Sequence, residues 1–162
     1  MLYTSPANIS HRDASLPSIF LAGSIDMGKA HNWQSDFITR MQAYDALRNI
    51  NVFNPRREDW DSFAQPHAGD PQFYQQVNWE LDALEAADHI VMRFEASSLA
   101  PVTLLELGLY ATSGKLLVSC APEFWKKGNV DILCQRYGIP MFESIQEVMD
   151  HLNSLLLSKQ PE

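Results

Sequence analysis

A chain of 162 residues with 46% hydrophobic content and four tryptophans has the size and apolar mass of one folded domain, which excludes an intrinsically disordered polymer. Its formal net charge of -8, with no long Lys/Arg run, argues against a nucleic-acid duplex as partner. No apolar run approaches the ~20 residues of a membrane helix, no basic-then-apolar leader opens the chain, and Cys120 and Cys134 fit neither a disulfide framework nor a metal-ligand pair, so the expectation is a soluble cytoplasmic protein with two reduced thiols.

Residues 1–16 mix Ser, Pro, Asn, His and Asp and read as an N-terminal arm or loop; residues 17–162 read as a single domain. Ile19-Phe20-Leu21-Ala22, closed by Gly23, is the continuous apolar run of a strand buried on both faces. Trp33, Phe37, Met41, Tyr44 and Leu47 recur at spacings of four and three and predict an amphipathic helix. Asn51-Val52-Phe53 is a second strand, stopped by Asn54-Pro55, and residues 55–70 form a long polar loop. A helix from about Pro71 carries Phe73, Val77, Leu81 and Leu84, and His89–Phe94 is the third strand. Pro101 opens a helix that runs to near Gly114. Leu116–Ser119 is a fourth strand, a helix spans about Val130–Arg136, and Ile139–Phe142 is a short fifth strand. The last helix carries Ile145, Val148, Met149, Leu152 and Leu155. This alternation predicts a doubly wound parallel sheet of five strands in the order 2-1-3-4-5, with helices on both faces. Ligands of such sheets sit beyond the carboxyl ends of the strands where the winding reverses, here between the first and third strands.

Glu106 lies inside Leu104–Tyr110, an almost wholly apolar helical segment. A carboxylate there either has a partner or a task, or lies on the one exposed stripe or caps a neighbouring loop. Its place just after the third-strand loop favours a task. Glu80 shares its helix with Asp82 and Glu85, and a solvated face accounts for any one of the three; Asp88 suits a turn or cap. Gly23, Ser24, Ile25 and Asp26 follow the first strand, where small residues let backbone approach a ligand, although a tight turn needs the same glycines. Asn54, Arg56 and Trp60 in the long loop suit a planar ligand, and a surface salt-bridge cluster fits equally. Ser98 either donates to a ligand hydroxyl or shapes its loop. The five His show no metal-ligand spacing, and no GxSxG elbow or paired Cys nucleophile occurs.

Three short motifs in order, Phe20-Leu21-Ala22-Gly23-Ser24-Ile25, Trp79-Glu80-Leu81 before Ala87-Asp88, and Leu105-Glu106-Leu107-Gly108, resemble the nucleoside 2-deoxyribosyltransferase-like family. The resemblance implies a flavodoxin-like (Rossmann-like) fold and a double displacement at an anomeric carbon. Glu106 matches the family's nucleophile. Glu80 stands where an Asp usually assists the leaving base, so the carboxylate is kept one methylene longer. The residue that holds the sugar has its nearest counterpart in Ser98. No metal or organic cofactor is required for that chemistry. Asp26 disfavours a phosphate, although Lys29 and backbone N–H groups could compensate, so a nucleoside is expected ahead of a nucleotide. The resemblance leaves transferase, hydrolase and non-catalytic nucleotide sensor open. It also implies a homo-oligomer, with the apolar helices and Phe124–Asn129 as candidate contacts.

Overall fold

The structure is a computed structural model that describes residues 1–24, 31–57 and 66–159. Its strands are β1 (Leu2–Thr4), β2 (Ser18–Gly23), β3 (Asn51–Asn54), β4 (His89–Phe94), β5 (Leu116–Cys120) and β6 (Met141–Phe142). Its helices are α1 (Trp33–Arg40), α2 (Pro71–Ala86), α3 (Pro101–Tyr110), α4 (Lys127–Tyr137) and α5 (Ile145–Leu157). All strand pairs are parallel, in the order β1-β3-β2-β4-β5-β6.

The five expected strands keep their expected order as β3-β2-β4-β5-β6, so the architecture is broadly that of the flavodoxin-like class. The correction is a sixth strand. Part of the stretch read as an arm forms β1, which pairs Leu2 with Val52 and Thr4 with Asn54 on the outer edge of β3. Two further contacts hold this stretch: Tyr3 lies against Phe53 with ring centroids 5.8 Å apart, and the Trp79 indole N–H donates to the Ala7 carbonyl at 2.8 Å. A three-residue strand carries too little periodicity to stand out in a sequence.

Alternating side chains divide the core into two layers, as the period of two along a strand requires. Phe20, Ala22, Ile90, Met92, Phe94 and Val118 face α2, α3 and α4. Ile19, Leu21, Val52, Val91 and Leu117 face α1 and α5. The helix starts follow from local chemistry. Asp70 caps α2 by accepting from the Gln72 and Phe73 N–H groups, with Pro71 in the first turn. Ser144 and Glu147 form a reciprocal capping box on α5. Gly138, at φ 64°, ends α4 by donating its N–H to the Cys134 and Gln135 carbonyls.

The first helix is shorter than its apolar spacing predicts. It ends at Arg40 and tightens into a 3-10 turn at Met41–Ala43. Beyond that turn, the Tyr44 hydroxyl donates to Asp150 at 2.6 Å and the Ala46 N–H donates to Asn153 at 3.1 Å, which docks the segment on α5.

At the amino ends of the strands, the Asp88 carboxylate accepts from the Ser18 N–H and hydroxyl at 2.8 and 2.7 Å. This joins the start of β4 to that of β2 and agrees with a turn or capping role. Cys120 and Cys134 are free and buried, and burial pushes each thiol up to about 11, which leaves little nucleophilic thiolate. Among the described residues no helix is long and apolar enough to cross a membrane.

Candidate active site

The carboxyl end of β2 is shaped by a close approach. A Cβ on Gly23 would lie 2.8 Å from the Trp33 ring and 3.0 Å from the Arg93 carbonyl oxygen. Glycine therefore lets the start of α1 seat against β2. Gly23→Ala is expected to cost about 1–3 kcal/mol by overpacking, read as a lower denaturation midpoint. Gly108→Ala, where a Cβ meets open space, is the matched control and should not destabilise.

The next residue, Ser24, is buried, and its hydroxyl meets that of Ser98 across the gap between β2 and the loop after β4. The Ser98 oxygen also accepts from the Ala100 N–H at 3.1 Å. Ala100 stands at φ 47°, a left-handed conformation that costs a non-glycine residue roughly 1–2 kcal/mol. The serine contacts thus hold a strained residue immediately before α3, whose first turn begins with Pro101. They set the direction in which α3 leaves the sheet.

α3 is oriented against its own hydrophobic pattern. Thr103, Glu106, Leu107 and Tyr110 are buried, whereas Val102, Leu105 and Leu109 face outward. Leu105 is 73% exposed and its neighbour Glu106 only 8%. The exposed-stripe alternative for Glu106 is thereby overturned. Exposing a leucine forfeits about 1.5–3 kcal/mol of burial, and placing a carboxylate inside adds a further cost. Among the described residues, no hydrogen bond reaches the Glu106 carboxylate to offset it. Burial first, and then the charge of Glu80, push its carboxyl up to about 8.

Glu80 approaches from α2. It is half-buried, and burial raises its carboxyl while a hydrogen bond from Gln76 lowers it. The Gln76 amide donates to Glu80 Oε1 and to the Pro55 carbonyl, both at 2.8 Å. The solvated-face reading of Glu80 gives way to that of a carboxyl coupled to Glu106. The charge of Glu80 thus reaches Glu106 from a separate helix and, after burial, adds to the rise of its carboxyl.

The remaining candidates surround this pair unevenly. Asn54 is buried at the end of β3, and its side-chain oxygen accepts from the Arg56 N–H at 3.1 Å, turning the chain toward half-buried Arg56. Ile25, Asp26 and Trp60 lie outside the described residues. Gln76 was not singled out from sequence, although its position four before Glu80 on a predicted helix is the spacing at which side chains meet. Arg93 and Glu95 form a separate polar cluster at the carboxyl end of β4. The Arg93 guanidinium donates to Glu95 at 3.2 Å and to the Ser119 hydroxyl at 3.3 Å. Arg93 alternates with Met92 and Phe94, so it belongs to the sheet face opposite α3.

Comparison with known proteins gives the fold and the family separately. A crystal structure described as a conserved protein from Enterococcus faecalis V583 superposes with a TM-score of 0.59 at 10% identity, covering 90% of this chain and 99% of that one; at such identity the likeness speaks for the fold alone. No curated protein matches the chain. The family profile described as "Nucleoside 2-deoxyribosyltransferase like" matches residues 16–124. That span takes in the Gly23 approach, the Ser24–Ser98 contact and both carboxyl groups, and on this match the chain belongs to the nucleoside 2-deoxyribosyltransferase-like family.

Proposed function

We propose that the protein cleaves or transfers at the N-glycosidic bond of a nucleoside, as a nucleoside deoxyribosyltransferase, through a covalent glycosyl intermediate on Glu106. The observation that carries this reading is the inversion of α3, which turns Glu106 inward, with no hydrogen bond among the described residues, while leucines face out. A carboxylate beneath an anomeric carbon stabilises an oxocarbenium-like transition state and then bonds to that carbon. In the first step a Glu106 oxygen bonds to C1′, the C1′–N bond breaks with its electron pair going to the base, and Glu80 supplies the proton that the base takes up. In the second step an acceptor base attacks C1′, displaces Glu106 and returns a proton to Glu80. Neither step requires a metal or an organic cofactor.

Substrate contacts are proposed for Gly23, Ser24, Ile25, Asp26, Asn54, Arg56, Trp60 and Ser98. Hydrolysis is the second reading, because water attacking the same intermediate gives free sugar. A non-catalytic nucleotide sensor is disfavoured by the cost of keeping Glu106 buried, which binding alone does not require. Incubation with deoxynucleosides, ribonucleosides and their 5′-monophosphates, with and without a free acceptor base, followed by chromatography, tests the proposal. An exchanged base identifies a transferase and free sugar a hydrolase. Binding without any turnover would sink both.

The same helix bears on assembly. Leu99, Val102, Leu105 and Leu109 recur every three or four residues and are all exposed. Such a row is self-complementary about a two-fold axis, and a second copy of this chain is the proposed occupant. Leu105→Glu is expected to convert the oligomer to a monomer in light scattering after size exclusion. An unchanged mass would count against this face.

A further inference from the structure

Gln76 lies one helical turn before Glu80 on α2 and is 6% exposed. Its amide nitrogen has two hydrogens and two acceptors, the Pro55 carbonyl and Glu80 Oε1, each at 2.8 Å. Pro55 directly follows β3, so the amide fastens α2 to the carboxyl end of the sheet at the level of the carboxyl pair. The nitrogen must face Pro55, because a carbonyl accepts and cannot donate; this fixes the orientation of the amide.

Two consequences follow for Glu80. Its side chain has three rotatable bonds, and a buried donor holding one oxygen removes much of that freedom. The same donor commits Oε1 as an acceptor, so a proton carried by Glu80 resides on Oε2. A proton donor works when its O–H is held within hydrogen-bond reach of the atom that receives it.

We propose that Gln76 is a positioning residue for protonation of the leaving base: it holds Glu80 through Oε1 and leaves Oε2 to carry the acidic proton. This inference rests on the reading of Glu106 and Glu80 given above. As the C1′–N bond breaks, its electron pair passes to the base, the Oε2 proton moves to a ring nitrogen of that base, and Glu106 bonds to C1′. Gln76 touches neither the sugar nor the base, so its effect appears only where the base needs that proton.

The test compares wild type with Gln76→Leu on two substrates, 2′-deoxyadenosine and an N7-methylated purine 2′-deoxynucleoside, each also supplied as its 5′-monophosphate. The methylated base departs neutral without accepting a proton. The variant is expected to lose roughly 30-fold or more in kcat with the adenine substrate, a fraction of what a general acid contributes, and to stay within about threefold of wild type with the methylated one. Gln76→Asn, whose shorter side chain withdraws the donor, is expected to show the same selective loss and replaces the leucine variant if that one does not fold. Equal losses on both substrates in a variant that keeps its cooperative thermal transition overturn the positioning role and leave the glycosyl-transfer reading intact. Release of neither base by wild type overturns that reading, and this inference with it.

Discussion

Glu106→Gln is expected to abolish base release, by about ten-thousandfold or more, while making the folded protein more stable above neutral pH. Glutamine keeps the size of the side chain but cannot form the glycosyl ester. The stability gain follows from ionisation. Folded Glu106 holds its proton up to about 8, against an ordinary value of 4.5. Below that ordinary value both folded and unfolded chains are protonated, and the group contributes no ionisation penalty. As pH rises between the two values the unfolded chain releases the proton more readily, so native stability falls, and the loss is complete above about 8. Glutamine removes that loss, a gain on the order of 2–4 kcal/mol at alkaline pH. Urea denaturation at pH 4.5 and pH 9 measures it: the variant should match wild type more closely at the lower pH and exceed it at the higher. Retained turnover would sink the nucleophile assignment, and parallel stability curves at the two pH values would sink its burial as a protonated acid.

The second large effect concerns Glu80. The resting pair keeps its last proton mainly on Glu106, and the proposed reactive arrangement is the tautomer with that proton on Glu80 and Glu106 ionised. kcat/KM is therefore expected to be bell-shaped, rising as the first proton leaves the pair and falling near pH 8 as the last one does. Glu80→Gln changes both the rate and the shape of the profile. The rate with an unactivated base should fall by about 100- to 10,000-fold, the usual worth of a general acid. The profile should lose its alkaline limb, because with glutamine at position 80 the ionisation of Glu106 only creates the nucleophile and no acid remains to be lost. The acidic limb should not move to lower pH: the first proton of the wild-type pair leaves while the partner is still neutral, so the variant's single rise, the ionisation of Glu106 alone, lies at or above it. An alkaline limb that persists unchanged in the variant would assign that ionisation elsewhere.

The sheet was legible in the sequence because its central strands are continuous apolar runs and its helices carry spacings of three and four. Strand β1 was not legible: Leu2–Thr4 is held by Val52, Phe53 and Asn54, residues far away along the chain. Glu106 stood out only as a carboxylate among leucines, and sequence left both an exposed and an inward orientation open. The choice depends on how α3 leaves the sheet, which Ser24, Ser98 and the backbone of Ala100 determine over a sequence separation of 74 residues. Gln76 is hidden in the sequence for a related reason. Its spacing to Glu80 is local, but its second anchor is the Pro55 carbonyl, which no side-chain pattern encodes.

The placement of Leu105 and Glu106, adjacent in sequence and opposite in exposure, also constrains how this protein can change over evolutionary time. In a helix of ten residues few positions are free to drift neutrally, Gly108 being one of them. Inward substitutions disturb the packing beside Glu106, and outward ones alter the exposed apolar row of the helix. A lineage that exchanged one oligomeric arrangement for another through this helix would be altering the rigid element that bears Glu106, the proposed nucleophile. Changes in assembly and in substrate preference should therefore arise together among its descendants, through the same few codons.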